Sequence, residues 1–330
     1  MSMPLTRRTF IRKGSQMSAA ATLSALGANV ASAASATTAA SSPGPGKEKI
    51  RIGSWQGPVA EGDLAKNAAK VKEIIDETRT LKLDFLCFPE CYLSGYRPES
   101  VKKCAVPADD PVIADLLRFT ADDDTVILVG FAERKEGRIF NTALVAHKGQ
   151  VLGLPHKTML VPVYDTAMFA TDLELPVMEA KSIKFGVAIC HTTSFVEPSL
   201  YLRWRGARLL FTPHYNDIPP GGITESGDHH TFWEHRTMVL NNQAALAALL
   251  KVVVVRSNIV MVTEEHLGAG DSNIWDMNGV CVAAGQPFTE ALVTAEFDKE
   301  IFLKEHWISR KEIPVQLLDM IAQAAREYPR

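Results

Sequence analysis

Three side chains with complementary chemistry follow apolar segments at well separated points of the chain. Glu90 comes after the run 86–89, Cys190 comes after the run 185–189, and Lys157 lies between them. A thiol attacks a carbonyl carbon as its thiolate, so it needs a neighbouring base or positive charge. A carboxylate can take the thiol proton and return it to a leaving amine, while an ammonium stabilises the developing oxyanion. Together they suffice for acyl transfer from an amide, without a metal or redox cofactor.

Each of these residues also has a purely structural interpretation. Glu90 fits a solvated turn, Lys157 fits a surface position, and Cys190 fits an inert buried thiol at the end of a strand. Ligands of open α/β sheets bind at the carboxyl ends of the strands, however. Three groups of matched chemistry at such positions therefore favour a catalytic interpretation of the set.

The segments around these residues alternate between strand patterns and helix patterns. Strands are predicted at 49–54, 83–88, 125–131, 138–146, 150–154, 182–189, 209–212, 252–259, 273–276, 281–284 and 291–297. Helices are predicted at 63–80, 111–121, 198–206 and 231–250, and helical spacing recurs from Val315 to Ala325. This alternation predicts one α/β domain over residues 49–330, with helices covering the sheets.

The order of the motifs resembles the nitrilase superfamily of carbon–nitrogen hydrolases. The motifs are Phe-Pro-Glu at 88–90, Asn-Thr-Ala at 141–143 leading to His-Lys at 156–157, and Gly-Val-Ala-Ile-Cys at 186–190. The resemblance extends over roughly Lys49 to Asp298. It implies the four-layer α/β/β/α sandwich of that family, and assembly into a homodimer or a higher homo-oligomer.

The resemblance also implies a reaction, the hydrolysis of a nonpeptide carbon–nitrogen bond in a small molecule, with an amide as the first expectation. Glu90 would be the base, Cys190 the nucleophile that forms a thioester, and Lys157 the oxyanion stabiliser, assisted by the backbone N–H of His191. The same three residues are compatible with nitrile hydrolysis or N-carbamoyl-amine hydrolysis. A noncatalytic ligand-binding descendant of the family is a further alternative.

Two positions depart from the family pattern. Asp165 stands where the family usually has a second glutamate, and we expect it to keep that supporting role, the alternative being an ordinary loop residue. His191 follows the nucleophile where an aromatic residue is usual, and its side chain either lines the pocket or packs beside it. Tyr96, His214 and Asn216 are further candidates for the substrate pocket.

A zinc site is the alternative raised by four histidines, at 214, 229, 230 and 235. Two of them are adjacent in sequence and so cannot share a helix face, and no carboxylate–histidine spacing of a hydrolytic site is present. We therefore expect no metal and no cofactor. The glycine-rich segment 217–230 is either a lid over the pocket or a surface excursion.

The composition excludes several classes of partner. Hydrophobic residues make up 46% and charged residues 22% of the 330 residues, and the formal net charge is -3. No basic surface for nucleic acid is indicated, and no stretch reaches the length of about 18 apolar residues that a membrane span needs. The five cysteines are odd in number and widely spaced, which is no disulfide framework.

The N-terminus resembles a twin-arginine export signal. Arg7 and Arg8 precede a weakly apolar Ala/Leu/Ser stretch at about 17–30, and small-residue cleavage candidates follow it. We predict a signal peptide at 1–36, a flexible leader at 37–48, and export to the periplasm or the extracellular space. A disordered Ala/Ser-rich tail is the alternative.

Overall fold

The computed structural model of the protein describes residues 48–220, 223–225, 228–304 and 313–327. The predicted signal peptide and all but the last residue of the predicted leader lie outside these residues. The strands are β1 (Lys49–Gln56), β2 (Phe85–Cys87), β3 (Val126–Lys135), β4 (Arg138–His147), β5 (Gln150–Gly153), β6 (Met178–Ala180), β7 (Ile183–Val187), β8 (Leu209–Pro213), β9 (Ile223–Glu225), β10 (Asp228–His230), β11 (Val253–Ser257), β12 (Val260–Val262), β13 (Leu267–Ala269), β14 (Asn273–Trp275), β15 (Cys281–Ala284) and β16 (Ala291–Asp298). The helices are α1 (Leu64–Thr78), α2 (Pro98–Cys104), α3 (Pro111–Phe119), α4 (Val196–Trp204), α5 (Phe232–Leu250), α6 (Glu300–Leu303) and α7 (Val315–Glu327).

Most of the strands belong to two six-stranded mixed sheets. The first sheet has the order β16-β1-β2-β3-β4-β5, and the second has the order β15-β14-β11-β8-β7-β6. In the first sheet β1, β2 and β3 are parallel neighbours, and in the second β7, β8 and β11 are. The carboxyl ends of each parallel set therefore lie at one edge of its sheet, where ligands bind in α/β proteins.

Alternating side chains place an apolar face on each side of the first sheet. Phe85 and Cys87 of β2 point into the core shared with the second sheet, whereas Leu86 packs on the outer face. In β3, Val126 and Leu128 face the shared core and their neighbours face outward in the same way. This is the period of two expected of strands that are buried on both faces.

Helices cover the outer face of each sheet. The apolar stripe of α1 lies on the outer face of the first sheet together with residues of α3, and residues of α4 and α5 pack on the second sheet. Asp63 caps α1 by accepting a hydrogen bond from the Lys66 N–H, and Thr231 and Glu234 form a capping box that begins α5. The predicted α/β/β/α sandwich is confirmed.

Side-chain hydroxyls join the two sheets where their parallel strands end. Ser257, the last residue of β11, donates to the carbonyls of Trp55 at 2.5 Å and Cys87 at 3.1 Å. Ser54 of β1 also links the two sheets, because its hydroxyl donates to the Arg256 carbonyl of β11 at 2.8 Å. These buried bonds hold the ends of β1, β2 and β11 together, next to the loops that carry the candidate site.

Several short elements differ from the sequence predictions. Helix α2 and strand β6 were not predicted. The segment 217–230, for which a lid or a surface excursion was expected, contains the antiparallel pair β9 and β10.

All five cysteines are free thiols. Among the described residues, no helix is long and apolar enough to span a bilayer.

Phe85→Ala is expected to lower the free energy of unfolding by about 3–5 kcal/mol, because it empties the space between the sheets. The Phe85 ring is fully buried and lies 5.4 Å from the ring of Phe185 and 5.6 Å from that of Phe211, both in the second sheet. Chemical denaturation measures the loss. Leu173→Ala, at a side chain that is 83% exposed, is the control and should change stability by at most about 0.5 kcal/mol. Equal losses in the two variants would contradict this packing.

Candidate active site

Glu90, Lys157 and Cys190 meet at the edge where the parallel strands end. The Lys157 ammonium lies 2.8 Å from Oε1 of Glu90, and the charges of both groups act on the Cys190 thiol. Glu90 and Lys157 are completely buried, whereas Cys190 is partly exposed. The structure thus brings together three residues that are 67 and 33 positions apart in the sequence.

The Glu90 carboxylate is fixed by donors from three segments. Oε1 accepts from Nδ2 of Asn141 at 2.7 Å and from Lys157, and Oε2 accepts from the backbone N–H of Tyr215 at 2.7 Å. Its own backbone N–H donates to the His214 carbonyl. A carboxylate that accepts several hydrogen bonds is held in one orientation, so Glu90 is fixed beside Lys157.

Lys157 is held at both its backbone and its side chain. Its N–H donates to the Asn141 carbonyl at 2.8 Å, which extends the pairing of β4. Its ammonium lies 2.7 Å from Oδ2 of Asp165 and donates to the Tyr96 hydroxyl at 3.1 Å. Burial lowers the pKa of Lys157, but the negative charge of Glu90 and its neighbours raises that pKa overall, so the side chain stays charged.

Asp165 and Tyr96 form a second layer behind the lysine. Asp165 is completely buried at the start of a 3₁₀ turn (Asp165–Ala167), where it accepts from the Val161 N–H at 2.8 Å and from the Tyr96 hydroxyl. The Tyr96 ring stacks on the Tyr215 ring, with centroids 5.0 Å apart. The structure therefore places Tyr96, a pocket candidate, between Lys157 and Asp165.

The Cys190 backbone has a left-handed conformation, with φ of 47°, at the first residue of a 3₁₀ turn (Cys190–Ser194) that follows β7. Such a conformation strains a non-glycine residue and is held by its surroundings. Here the Cys190 carbonyl accepts from Oγ1 of Thr193 at 2.8 Å, and Thr193 accepts from Nε2 of Gln243 at 2.8 Å. Helix α5 thereby supports the turn that presents the thiol.

The resting thiol carries its proton. Burial raises the pKa of Cys190, the charge of Glu90 raises it further, and the Lys157 ammonium opposes them without overcoming them. The charge of Asp165 acts on the Cys190 pKa in the same direction as that of Glu90. The Cys190 thiol can therefore act as a nucleophile only if a neighbouring base accepts its proton.

The remaining predicted residues have other partners. The His191 ring packs edge-on against Phe195, with centroids 5.4 Å apart. His214 is buried beside Glu90 and its Nδ1 donates to the Thr212 carbonyl at 2.7 Å, and burial holds its pKa well below the ordinary range. The Asn216 side chain contacts Nε2 of His235 at 3.1 Å.

Two residues that position the site were missed from the sequence. Asn141 links Lys157 to Glu90, and its place in the Asn-Thr-Ala motif was the available signal. Gln243 supports the Cys190 turn from the middle of α5, and nothing in the helical spacing marks it. Among the described residues, no group of three or more His, Cys, Asp or Glu side chains is arranged to hold a metal ion.

Comparison with known proteins identifies similar chains. The family model described as carbon-nitrogen hydrolase matches residues 51–301. An (R)-stereoselective amidase of Pseudomonas sp is 26% identical over 240 residues, covering 72% of this chain and 78% of the amidase. A glutamine-dependent NAD(+) synthetase of Mycobacterium leprae is 25% identical over 284 residues, covering 78% of this chain and 40% of the synthetase. This chain thus spans less than half of the synthetase.

Solved structures share the fold at low sequence identity. Saccharomyces cerevisiae Nit3, a member of branch 10 of the nitrilase superfamily, superposes with a TM-score of 0.67 at 17% identity, covering 80% of this chain and 97% of Nit3. An amidase from Nesterenkonia sp. gives a TM-score of 0.66 at 16% identity, covering 82% of this chain and 95% of the amidase. These likenesses concern the fold.

Asp165→Asn should move the titration of the Cys190 thiol to lower pH, because the charge of Asp165 is one of those that raise the thiol pKa. The rate of iodoacetamide alkylation at Cys190, followed by peptide mapping across pH, measures the change. Asp115→Asn is the control, since Asp115 lies in surface ion pairs with Lys72 and Arg118. Identical pH profiles in the two variants would contradict the proposed charge coupling.

Proposed function

Because the chain belongs to the carbon-nitrogen hydrolase family, we propose that it hydrolyses an amide through a thioester on Cys190. The observation that carries the proposal is the buried Glu90 carboxylate, which pairs with the Lys157 ammonium at 2.8 Å and whose charge acts on the Cys190 thiol. One group is thus poised to remove the proton from the nucleophile beside a positive charge that can stabilise an oxyanion.

In acylation Glu90 carries one proton from the Cys190 thiol to the departing nitrogen. As the sulfur of Cys190 attacks the carbonyl carbon, the thiol proton passes to Glu90 and an oxyanion forms. The Lys157 ammonium and the backbone N–H of His191 are the donors proposed for that oxyanion. Glu90 then gives its proton to the departing nitrogen, the carbon–nitrogen bond breaks, and ammonia or an amine leaves a thioester behind.

In deacylation water takes the place of the thiol as the nucleophile, and sulfur takes the place of nitrogen as the leaving atom. Water attacks the thioester carbon while Glu90 accepts a proton from it, and the same donors stabilise the second oxyanion. The carbon–sulfur bond breaks, the sulfur regains its proton from Glu90, and the carboxylic acid leaves. Each cycle consumes one amide and one water and returns Glu90 and Cys190 to their starting protonation states.

The (R)-stereoselective amidase among the relatives supports an amide substrate, and the glutamine-dependent relatives make glutamine one amide to include in the tests. Nitrile hydrolysis and N-carbamoyl-amine hydrolysis by the same residues are the alternatives. Ammonia release from a panel of amides, nitriles and carbamoyl compounds separates them. A chain that releases ammonia from none of these would favour a noncatalytic ligand-binding protein.

Cys190→Ala should reduce ammonia release by roughly 10⁴-fold or more, because the nucleophile is removed. Its free energy of unfolding should change by no more than about 1–2 kcal/mol, since a small thiol contributes little packing. Cys281→Ala is the matched control, because Cys281 is exposed, and it should retain full activity. An active Cys190→Ala variant would refute the mechanism.

A further inference from the structure

His156, the residue directly before Lys157, lies between two carboxylates. Its Nε2 is 3.0 Å from Oε2 of Glu133 in β3, and its Nδ1 is 2.6 Å from Oδ2 of Asp172. The imidazole is buried, with 4% of the residue exposed. The proposed mechanism gives this buried titratable group no task.

Both carboxylate contacts are hydrogen bonds when both ring nitrogens carry protons. An ionised carboxylate only accepts hydrogen bonds, so Glu133 and Asp172 are both satisfied only by an imidazolium. Burial lowers the pKa of His156, but the hydrogen bonds to these two carboxylates raise that pKa overall. The ring also stacks on Phe140, with centroids 4.4 Å apart, and the Arg138 guanidinium lies 5.0 Å from the Phe140 centroid.

The imidazole is coupled to the site through β4. His156 pairs with Thr142 in an antiparallel bridge, and the Thr142 hydroxyl donates to the same Glu133 oxygen at 2.8 Å. The neighbouring residues are also joined, because the Lys157 N–H donates to the Asn141 carbonyl. The side chain of Asn141 in turn donates to the Glu90 carboxylate. Any shift of His156 is therefore passed to the segments that hold both Lys157 and Glu90.

We propose that His156 is a positioning residue, whose imidazolium between Glu133 and Asp172 fixes the backbone of Lys157 and so sets the upper pH limit of the reaction. The inference rests on the proposed function. When the ring loses a proton, one nitrogen presents a lone pair to a carboxylate. That contact becomes repulsive, and the support of Lys157 is lost.

The other site groups whose pKa values are shifted do not account for this upper pH limit. The pKa values of Cys190 and Tyr96 are raised, chiefly by burial, and that of Lys157 is raised by neighbouring charge against the effect of burial. Burial lowers that of His214, which places its titration on the acid side. His156 is accordingly the group of this set expected to titrate first as the pH rises above neutrality.

Asp172→Asn tests the inference without removing the histidine. The Asp172 side chain is 29% exposed, and asparagine keeps an oxygen that accepts from Nδ1, so only the charge is lost. The alkaline limb of kcat/KM for a neutral amide should move to lower pH. At the pH where the wild-type value has fallen to half, the variant should retain less than about one fifth of its own maximum.

The control is Asp124→Asn, which removes a carboxylate from another histidine, His147. Nε2 of His147, the last residue of β4, lies 3.2 Å from Asp124, so this variant makes the same chemical change away from Lys157. Its alkaline limb should stay in place. Glu133→Gln is a second test variant and should shift the limb in the same direction as Asp172→Asn.

NMR titration of isotope-labelled histidines provides an independent measurement. The midpoint for His156, assigned by loss of its signal in His156→Gln, should coincide with the wild-type alkaline limb and should move with it in Asp172→Asn. An alkaline limb that stays in place while the His156 midpoint moves would overturn this inference alone. Failure to release ammonia from any amide at any pH would overturn the proposed function and this inference with it.

Discussion

The buried ion cluster of Lys157 with Glu90 and Asp165 is the interaction on which the rest of the site depends. Removing a charge from water costs several kcal/mol per ion even after the protein relaxes, and this cost is offset only by close and fully hydrogen-bonded partners. Lys157 meets that requirement with oxygens of Glu90, Asp165 and Tyr96 at 2.7–3.1 Å. Burial, together with the charge of Glu90, raises the pKa of the Cys190 thiol, and Glu90 is the base that we propose for it.

The fold supplies the rigidity that such a cluster needs. Two sheets packed through an aromatic and aliphatic core fix the ends of their parallel strands, and the Ser257 hydroxyl joins those ends. Each charged residue lies just beyond an ordered strand or turn, and its backbone is hydrogen-bonded there. Strain at Cys190 is held by Thr193 and Gln243, which connect the turn to the long helix α5.

The sequence predicted the parts of this structure that carry a strong local signal. The strand at 138–146 and the helix at 231–250 agree with β4 and α5 within one residue, because alternation and helical spacing identify long periodic elements. Helix α2 spans only seven residues and β6 only three, too few for a periodic pattern to stand out. Segment 217–230 has glycines and prolines in place of an apolar pattern, and its short hairpin could not be predicted.

The site was predicted as far as its motifs extend. Glu90, Lys157 and Cys190 could be named because each follows an apolar strand in a recognisable order. Asn141 and Gln243 were not named as supports, because they act through contacts made only in the folded chain, and Tyr96 was named only as a pocket candidate. His156 shows the limit most clearly, since its two carboxylate partners are 23 and 16 residues away and share no motif with it.

The most direct test of the thioester on Cys190 is a partition measurement in hydroxylamine solution. An amide and an ester of the same carboxylic acid are each turned over, and the ratio of hydroxamate to free acid is determined for both. A common thioester predicts the same ratio from either substrate, because the leaving group has departed before hydroxylamine and water compete. A ratio that depends on the leaving group, or turnover of both substrates without hydroxamate, would contradict the account.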